Sequence, residues 1–139
     1  MTTTQTRPDL ASHRPTRTTV GLVIVHDGKL LLQRQPKDAT AYANTWDLPG
    51  AEVPAGAPED VVADAAREQL GIEVTSFVLL SAGDDLVEDA CWRRFVYRVR
   101  AFDRDVSITD ASLRWYSEKE FADVFQLNPL VASIPVFEA

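Results

Sequence analysis

Residues 45–72 read TWDLPGAEVPAGAPEDVVADAAREQLGI, and the parsing of that stretch decides the fold. It opens as a short strand that closes on a Pro49-Gly50 turn. Val61, Val62, Ala65, Ala66 and Leu70 then recur at helical spacing and form one apolar face. Pro58 suits the first helical turn, where its missing N–H costs nothing, and Glu59 and Asp60 favour the positive end of the helix dipole. Gly71 suits the position just past the helix, where the chain turns left-handed. The pattern predicts a helix over residues 58–70.

Upstream, TTVGLVIVHDGKLLLQRQ, starting at Thr18, reads as two β-branched and leucine-rich strands joined by a turn at Asp27-Gly28. PKDATAYANT is a loop. Downstream, TSFVLLSAG and CWRRFVYRVRAFD read as strands, ASLRWYS as a shorter strand and EKEFADVF as a short helix. The order hairpin, strand, helix, strands, helix predicts an α/β chain of the α+β kind: a mixed β-sheet sandwiched between helices. Residues 1–17 hold Thr, Pro and Arg with almost no apolar content and are expected to form a disordered tail. Residues 18–139 form one domain, with no internal repeat.

The chain has 139 residues, 45% hydrophobic and 25% charged, which fits one soluble globular domain. Its 21 acidic and 14 basic residues leave a formal charge of -7, a field that repels phosphate backbones and argues against nucleic-acid binding. The same field repels a polyphosphate substrate unless a metal or a basic cluster intervenes. No apolar run is long enough to span a bilayer, and the N-terminus lacks a signal-peptide core, so a cytoplasmic protein with no membrane partner is expected. Cys91 is the sole cysteine, which excludes an intrachain disulfide, and two His with one Cys are too few for a dedicated zinc site.

The turn-then-helix stretch resembles the Nudix box. That pattern runs Gly, five residues, Glu, seven residues, Arg-Glu, aliphatic, any residue, Glu-Glu, any residue, Gly, aliphatic. Gly50 and Gly71 stand at the required spacing and Ile72 closes the pattern. LLLQRQ, TWDLPG and LRWYSEKEF also look like their Nudix counterparts, so the resemblance spans about Thr18 to Phe125. It implies a Nudix fold. Isopentenyl diphosphate isomerases share that fold, but their active-site Cys and His have no match in TWDLPGAEV.

Set on the box, the first Glu position holds Gly56, the Arg position Asp64, the next Glu Ala65, and the Glu-Glu pair Glu68 and Gln69. Reading Arg67-Glu68 as the box Arg-Glu leaves no room for the later Glu pair before Gly71. Mg²⁺ wants several oxygen ligands, usually carboxylates plus substrate phosphates, and in Nudix hydrolases such ions orient water and polarise the scissile bond. One usual carboxylate remains, so the expected cofactor is none or weakly held Mg²⁺. Asp64 and Glu68 are i,i+4 neighbours with Asp60 a turn back; this ridge either holds one ion or is a solvated face. Glu68 and Asp64 are the candidate catalytic and metal residues. Glu52 and the acidic run Asp84, Asp85, Glu88, Asp89 could add ligands from loops.

For ligand binding the candidates are Arg34 at a strand end, Trp46, and Trp92 with Arg94 and Tyr97, since pockets combine aromatic walls with few polar groups. Trp115 reads as core. Cys91 reads as a small hydrophobe, with no His nearby in sequence to activate it. His13 lies in the tail and His26 beside the hairpin turn, neither a strong catalytic candidate. Two functions stay open. One is an atypical Nudix-fold enzyme or sensor that binds a small organic or phosphorylated ligand, in a biosynthetic pathway for instance. The other is a divalent-metal-dependent Nudix hydrolase of a nucleoside diphosphate derivative. A small-molecule ligand is the expected partner, with a homodimer possible.

Overall fold

The computed structural model describes residues 16–39, 42–54, 56–87, 90–106, 108 and 111–137. The expected tail lies outside these residues except for Thr16 and Arg17, which already belong to the first strand; His13, Glu88 and Asp89 also lie outside. The strands are β1 (Thr16–Val23), β2 (Val25–His26), β3 (Lys29–Arg34), β4 (Trp46–Asp47), β5 (Gly50–Glu52), β6 (Glu73–Val87), β7 (Ala90–Asp103) and β8 (Leu113–Ser117). The helices are α1 (Glu59–Leu70), α2 (Glu118–Ala122) and α3 (Pro129–Ala132).

One four-stranded sheet runs β5-β1-β7-β6; the other runs β2-β3-β4 with β8 on the free side of β3. The first sheet is mixed, because β1 lies parallel to β7 while β5 and β6 run antiparallel to their neighbours. The α+β architecture with a mixed sheet is as expected. The Asp27-Gly28 turn is present too, with both residues at positive φ (53° and 76°), the backbone a two-residue hairpin needs. The hairpin arm is shorter than its sequence suggests. Only Val25 and His26 pair with β3, because the chain leaves one sheet for the other at Ile24.

Helix α1 starts one residue later than predicted, with Pro58 in helical geometry just before it. It ends on Gly71 at φ 73°, a left-handed cap in which the Gly71 N–H donates back to the Arg67 carbonyl and the Ile72 N–H reaches the Ala66 carbonyl. Val62, Ala65, Ala66 and Leu70 are buried. Val62, Ala66 and Leu70 pack with Val20, Leu22, Tyr97 and Ile72 in one core cluster. A second cluster joins Val23, Leu30, Leu32, Leu48 and Val96 to Tyr116, Val131 and Val136 near the C-terminus. The four-stranded mixed sheet lies between the two, with α1 against one face.

The structure differs from the sequence expectation in two further places. The strand beginning near Thr75 continues through the acidic run to Val87, so Asp84 and Asp85 stand on β6 and not in a loop. Cross-strand pairing explains this: Asp84 faces Arg93 and accepts from its Nε at 2.9 Å. The short helix α3 was also missed; Asn128 caps it, its side chain accepting from the Leu130 N–H, and four residues carry no detectable helical period.

Gly50 has a steric reason to be glycine. A Cβ there would fall 1.9 Å from the Val20 carbonyl oxygen, because β5 crosses against β1 at Gly21. Gly50→Ala is expected to lose roughly 2–3 kcal/mol of stability by urea denaturation, since no flexible atom can yield to the added methyl. Gly83→Ala on β6, where a Cβ meets nothing within 4 Å, should stay within about 0.5 kcal/mol of the parent. Equal losses in the two variants would refute the close-approach argument.

Candidate functional site

Alternation along β7 divides its side chains between two environments. Trp92, Arg94, Val96 and Arg98 point away from α1, whereas Phe95, Tyr97 and Val99 pack in the core cluster beneath it. On the side away from α1, Trp92 and Arg94 line a cavity of about 290 Å³ with Asp85 of β6, Asp47 of β4, Glu52 of β5 and Tyr42 from the loop after β3. Leu48, Leu130 and Ala39 supply apolar wall. Gly21 makes room for the guanidinium: a Cβ there would stand 3.2 Å from Arg94 Nη2.

The cavity floor is a hydrogen-bonded network centred on Asp47. Its Oδ1 accepts from Arg94 Nη2 at 2.5 Å and from the Leu48 N–H at 2.7 Å. Its Oδ2 accepts from Asn128 Nδ2 at 3.2 Å, and the Asn128 Oδ1 takes the Leu130 N–H at 2.9 Å. The carboxylate thus ties β4, β7 and the start of α3 together. Asp47 and Arg94 side chains are 13% and 15% exposed, so water screens this pair little. Arg94 Nε is buried without a hydrogen-bond partner. At the far wall Tyr42 donates its phenol O–H to Asp85 Oδ2. Burial, then the bond to Asp85 and its charge, push the Tyr42 phenol up to about 12.

No family model matches the chain, and no curated protein sequence matches it. Solved structures do match. The solution structure of the E. coli ORF135 protein aligns with a TM-score of 0.71 at 27% identity over 95% of this chain and 92% of that one. The crystal structure of a MutT NUDIX hydrolase from Burkholderia pseudomallei aligns with a TM-score of 0.72 at 26% identity over 88% of this chain and 95% of that one. A MutT protein from Methanosarcina mazei Go1 shares the fold, with a TM-score of 0.74 at 21% identity over 89% of this chain and 91% of that one. The chain belongs to the Nudix superfamily.

Within this Nudix fold the candidate residues separate. Trp92 and Arg94 meet in the cavity. Tyr97 does not join them; it lies edge-on to Phe77 with ring centroids 5.4 Å apart, and its O–H reaches Glu59 at 3.4 Å. Burial is the main reason its phenol is raised, with the Glu59 charge adding to it. Trp46 packs edge-to-face on Tyr116 at 5.5 Å, outside the cavity lining. Arg34 is exposed at the end of β3. Cys91 is buried, and Trp115 packs on the core as expected.

The box residues on α1 sit on the opposite side of the sheet from Trp92. Asp64 is exposed and pairs with Arg67 at 3.2 Å. Arg67 also holds Glu73 at 3.0 Å, and this hydrogen bond keeps the Glu73 carboxyl below the usual carboxylate range. Glu68 is exposed on the same helix. Ala65 is buried, and the Gln69 amide donates to the Gly50 carbonyl at 2.6 Å, leaving Gln69 Oε1 buried without a partner. No group of three or more His, Cys, Asp or Glu side chains converges as a metal site among the described residues. A hard divalent ion wants several anionic oxygens; an alanine, an amide and a carboxylate bound to arginine fit it poorly.

Asp47, Tyr42 and Asn128 were not singled out from sequence. The signal for Asp47 was a carboxylate inside the apolar strand TWDL, which must find a partner if the strand is buried. The partner lies 47 positions away on β7. Nothing in the sequence marks Tyr42 or Asn128.

Asp47→Asn should lose roughly 2–4 kcal/mol in urea denaturation, because Arg94 keeps its charge in a mostly desolvated place. Adding Arg94→Gln should cost less than the sum of the single changes; strict additivity would show that the pair does not couple. Tyr42 has a pH signature. Its folded pKa exceeds the ordinary 10.0, so the fold favours the neutral phenol. That stability is present below about pH 10 and is lost as pH rises toward 12. Between these pH values Tyr42→Phe should lose less stability than the parent, measured by urea midpoints at both ends. Parallel losses would exclude this role for Tyr42.

Proposed function

We propose that this chain is an atypical Nudix-fold protein that binds a small organic ligand in the Asp47–Arg94 cavity, as a repurposed enzyme or sensor, without metal-dependent pyrophosphate hydrolysis. The observation that carries this reading is the Gln69 amide on the Gly50 carbonyl at 2.6 Å. An amide N–H fills the space beside that carbonyl where a carboxylate would need a cation or a proton between the two acceptors. Buried Ala65 and the Asp64–Arg67 pair support it from the same helix. The cavity supports the ligand half of the reading: it is concave, with an aromatic wall and a few placed polar groups.

A second reading is a divalent-metal-dependent Nudix hydrolase of a nucleoside diphosphate derivative, with Glu68 as its metal ligand. The likeness to the Burkholderia pseudomallei hydrolase favours it.

Metal linkage separates the two. A ligand stabilises by RT ln(1 + [L]/Kd), so weak binding at millimolar Mg²⁺ or Mn²⁺ leaves Tm unchanged. A metal-induced rise in Tm that disappears in Glu68→Gln, together with turnover of a nucleoside diphosphate derivative, would establish the hydrolase reading. The converse construction is Asp64→Arg, Ala65→Glu and Gln69→Glu. Gly56 is left as it stands, because its φ of 85° strains any other residue. Without metal this variant should be less stable than the parent, since Gln69→Glu sets two acceptors face to face. Mg²⁺ should restore stability there and not in the parent.

A further inference from the structure

The cavity wall carries charge from four strands: Asp47, Glu52, Asp85 and Arg94. Two of the carboxylates are already balanced. Asp47 holds Arg94 at 2.5 Å, and Glu52 takes two guanidinium nitrogens of Arg17, at 2.9 and 2.7 Å. Asp85 is different. Its hydrogen-bond partner is the Tyr42 phenol, which donates and brings no positive charge. The balance at the wall is therefore one negative charge, held on β6.

Arg94 does little to reverse that sign. Its Nη2 is engaged by Asp47, and its Nε is shut off from solvent close over Gly21. An anionic ligand entering the cavity would meet Asp85 in a partly desolvated place, where like charges repel more strongly than in water. The aromatic wall favours the other sign. The Trp92 ring already carries the Arg17 guanidinium, 4.4 Å from its centroid, so its π surface accepts a planar cation.

We infer that the cavity takes a planar organic cation of amidinium or protonated aminoheterocycle type, its N–H groups on the Asp85 carboxylate and its ring beside Trp92, in preference to an anionic diphosphate. This rests on the cavity being the ligand site. It adds the charge and shape of the ligand. Asp85 and Trp92 then determine specificity, Tyr42 positions Asp85, and Asp47 balances the Arg94 charge.

Three probes of one size and shape test it: benzamidine, benzamide and benzoate, titrated into the full chain and followed by amide and indole NMR shifts. Benzamidine should perturb Trp92 and Asp85 and bind about tenfold or more tightly than benzamide, with benzoate weakest. In Asp85→Asn, which keeps an acceptor for Tyr42, the preference for benzamidine should fall to about twofold or less. Tightest binding by benzoate, or an unchanged preference in Asp85→Asn, overturns the cation inference and leaves a ligand cavity standing. If none of the probes perturbs the cavity residues, the cation inference fails; the metal-linkage experiment decides the function independently.

Discussion

A single carboxylate holds the cavity side of this fold together. Asp47 stands on a two-residue strand that could not persist alone, and its oxygens collect donors from β7, from the next backbone N–H and from the residue that caps α3. Backbone bonds reinforce the same junction: Trp46 N–H donates to Gln126, and Asn128 N–H donates to Trp46. A mostly buried ion pair is weak evidence for net stability, because desolvation offsets attraction. Its value lies in placement. It holds Arg94 flat over Gly21, which sets the floor and leaves space under Trp92 and Asp85.

The two faces of the mixed sheet divide the labour. One face belongs to α1 and to close packing, with Val62, Ala66 and Leu70 under Leu22, Tyr97 and Ile72. The other borders the second core cluster, the C-terminal segment and the cavity. Arg98 illustrates this side, donating to the carbonyls of Pro135 and Val136 and so anchoring the chain end to β7. Nudix chemistry, where it operates, uses carboxylates on the α1 segment. In this chain Asp64 of that segment pairs with Arg67, and the Gln69 amide donates to the Gly50 carbonyl.

Much of the fold was legible because it is written in local terms. Helix α1 follows from an apolar stripe, a proline before its first turn and a glycine after its last. The hairpin follows from Asp27-Gly28, whose backbone few other pairs adopt readily. The spacing of Gly50 and Gly71 pointed to the superfamily. It reflects two separate constraints: a strand crossing too close for a Cβ, and a left-handed helix cap. The length of β6 was misjudged because single-strand propensity counts aspartates as breakers, whereas Asp84 is matched by Arg93 across the ladder.

The sequence by itself determined most of the elements and their order, though not the short α3 or the length of β6, together with the superfamily and the composition of the α1 face, since each depends on a pattern within one stretch of chain. Only the tertiary structure decided which polar residues share a site. Trp92, Arg94 and Tyr97 are close in sequence, yet alternation sends Tyr97 to the far side of the sheet. Asp47 and Arg94 lie 47 positions apart and touch, and Tyr42 reaches Asp85 across 43. Such pairings come from sheet register and from how the loop after β3 folds over β6, and no local pattern encodes either.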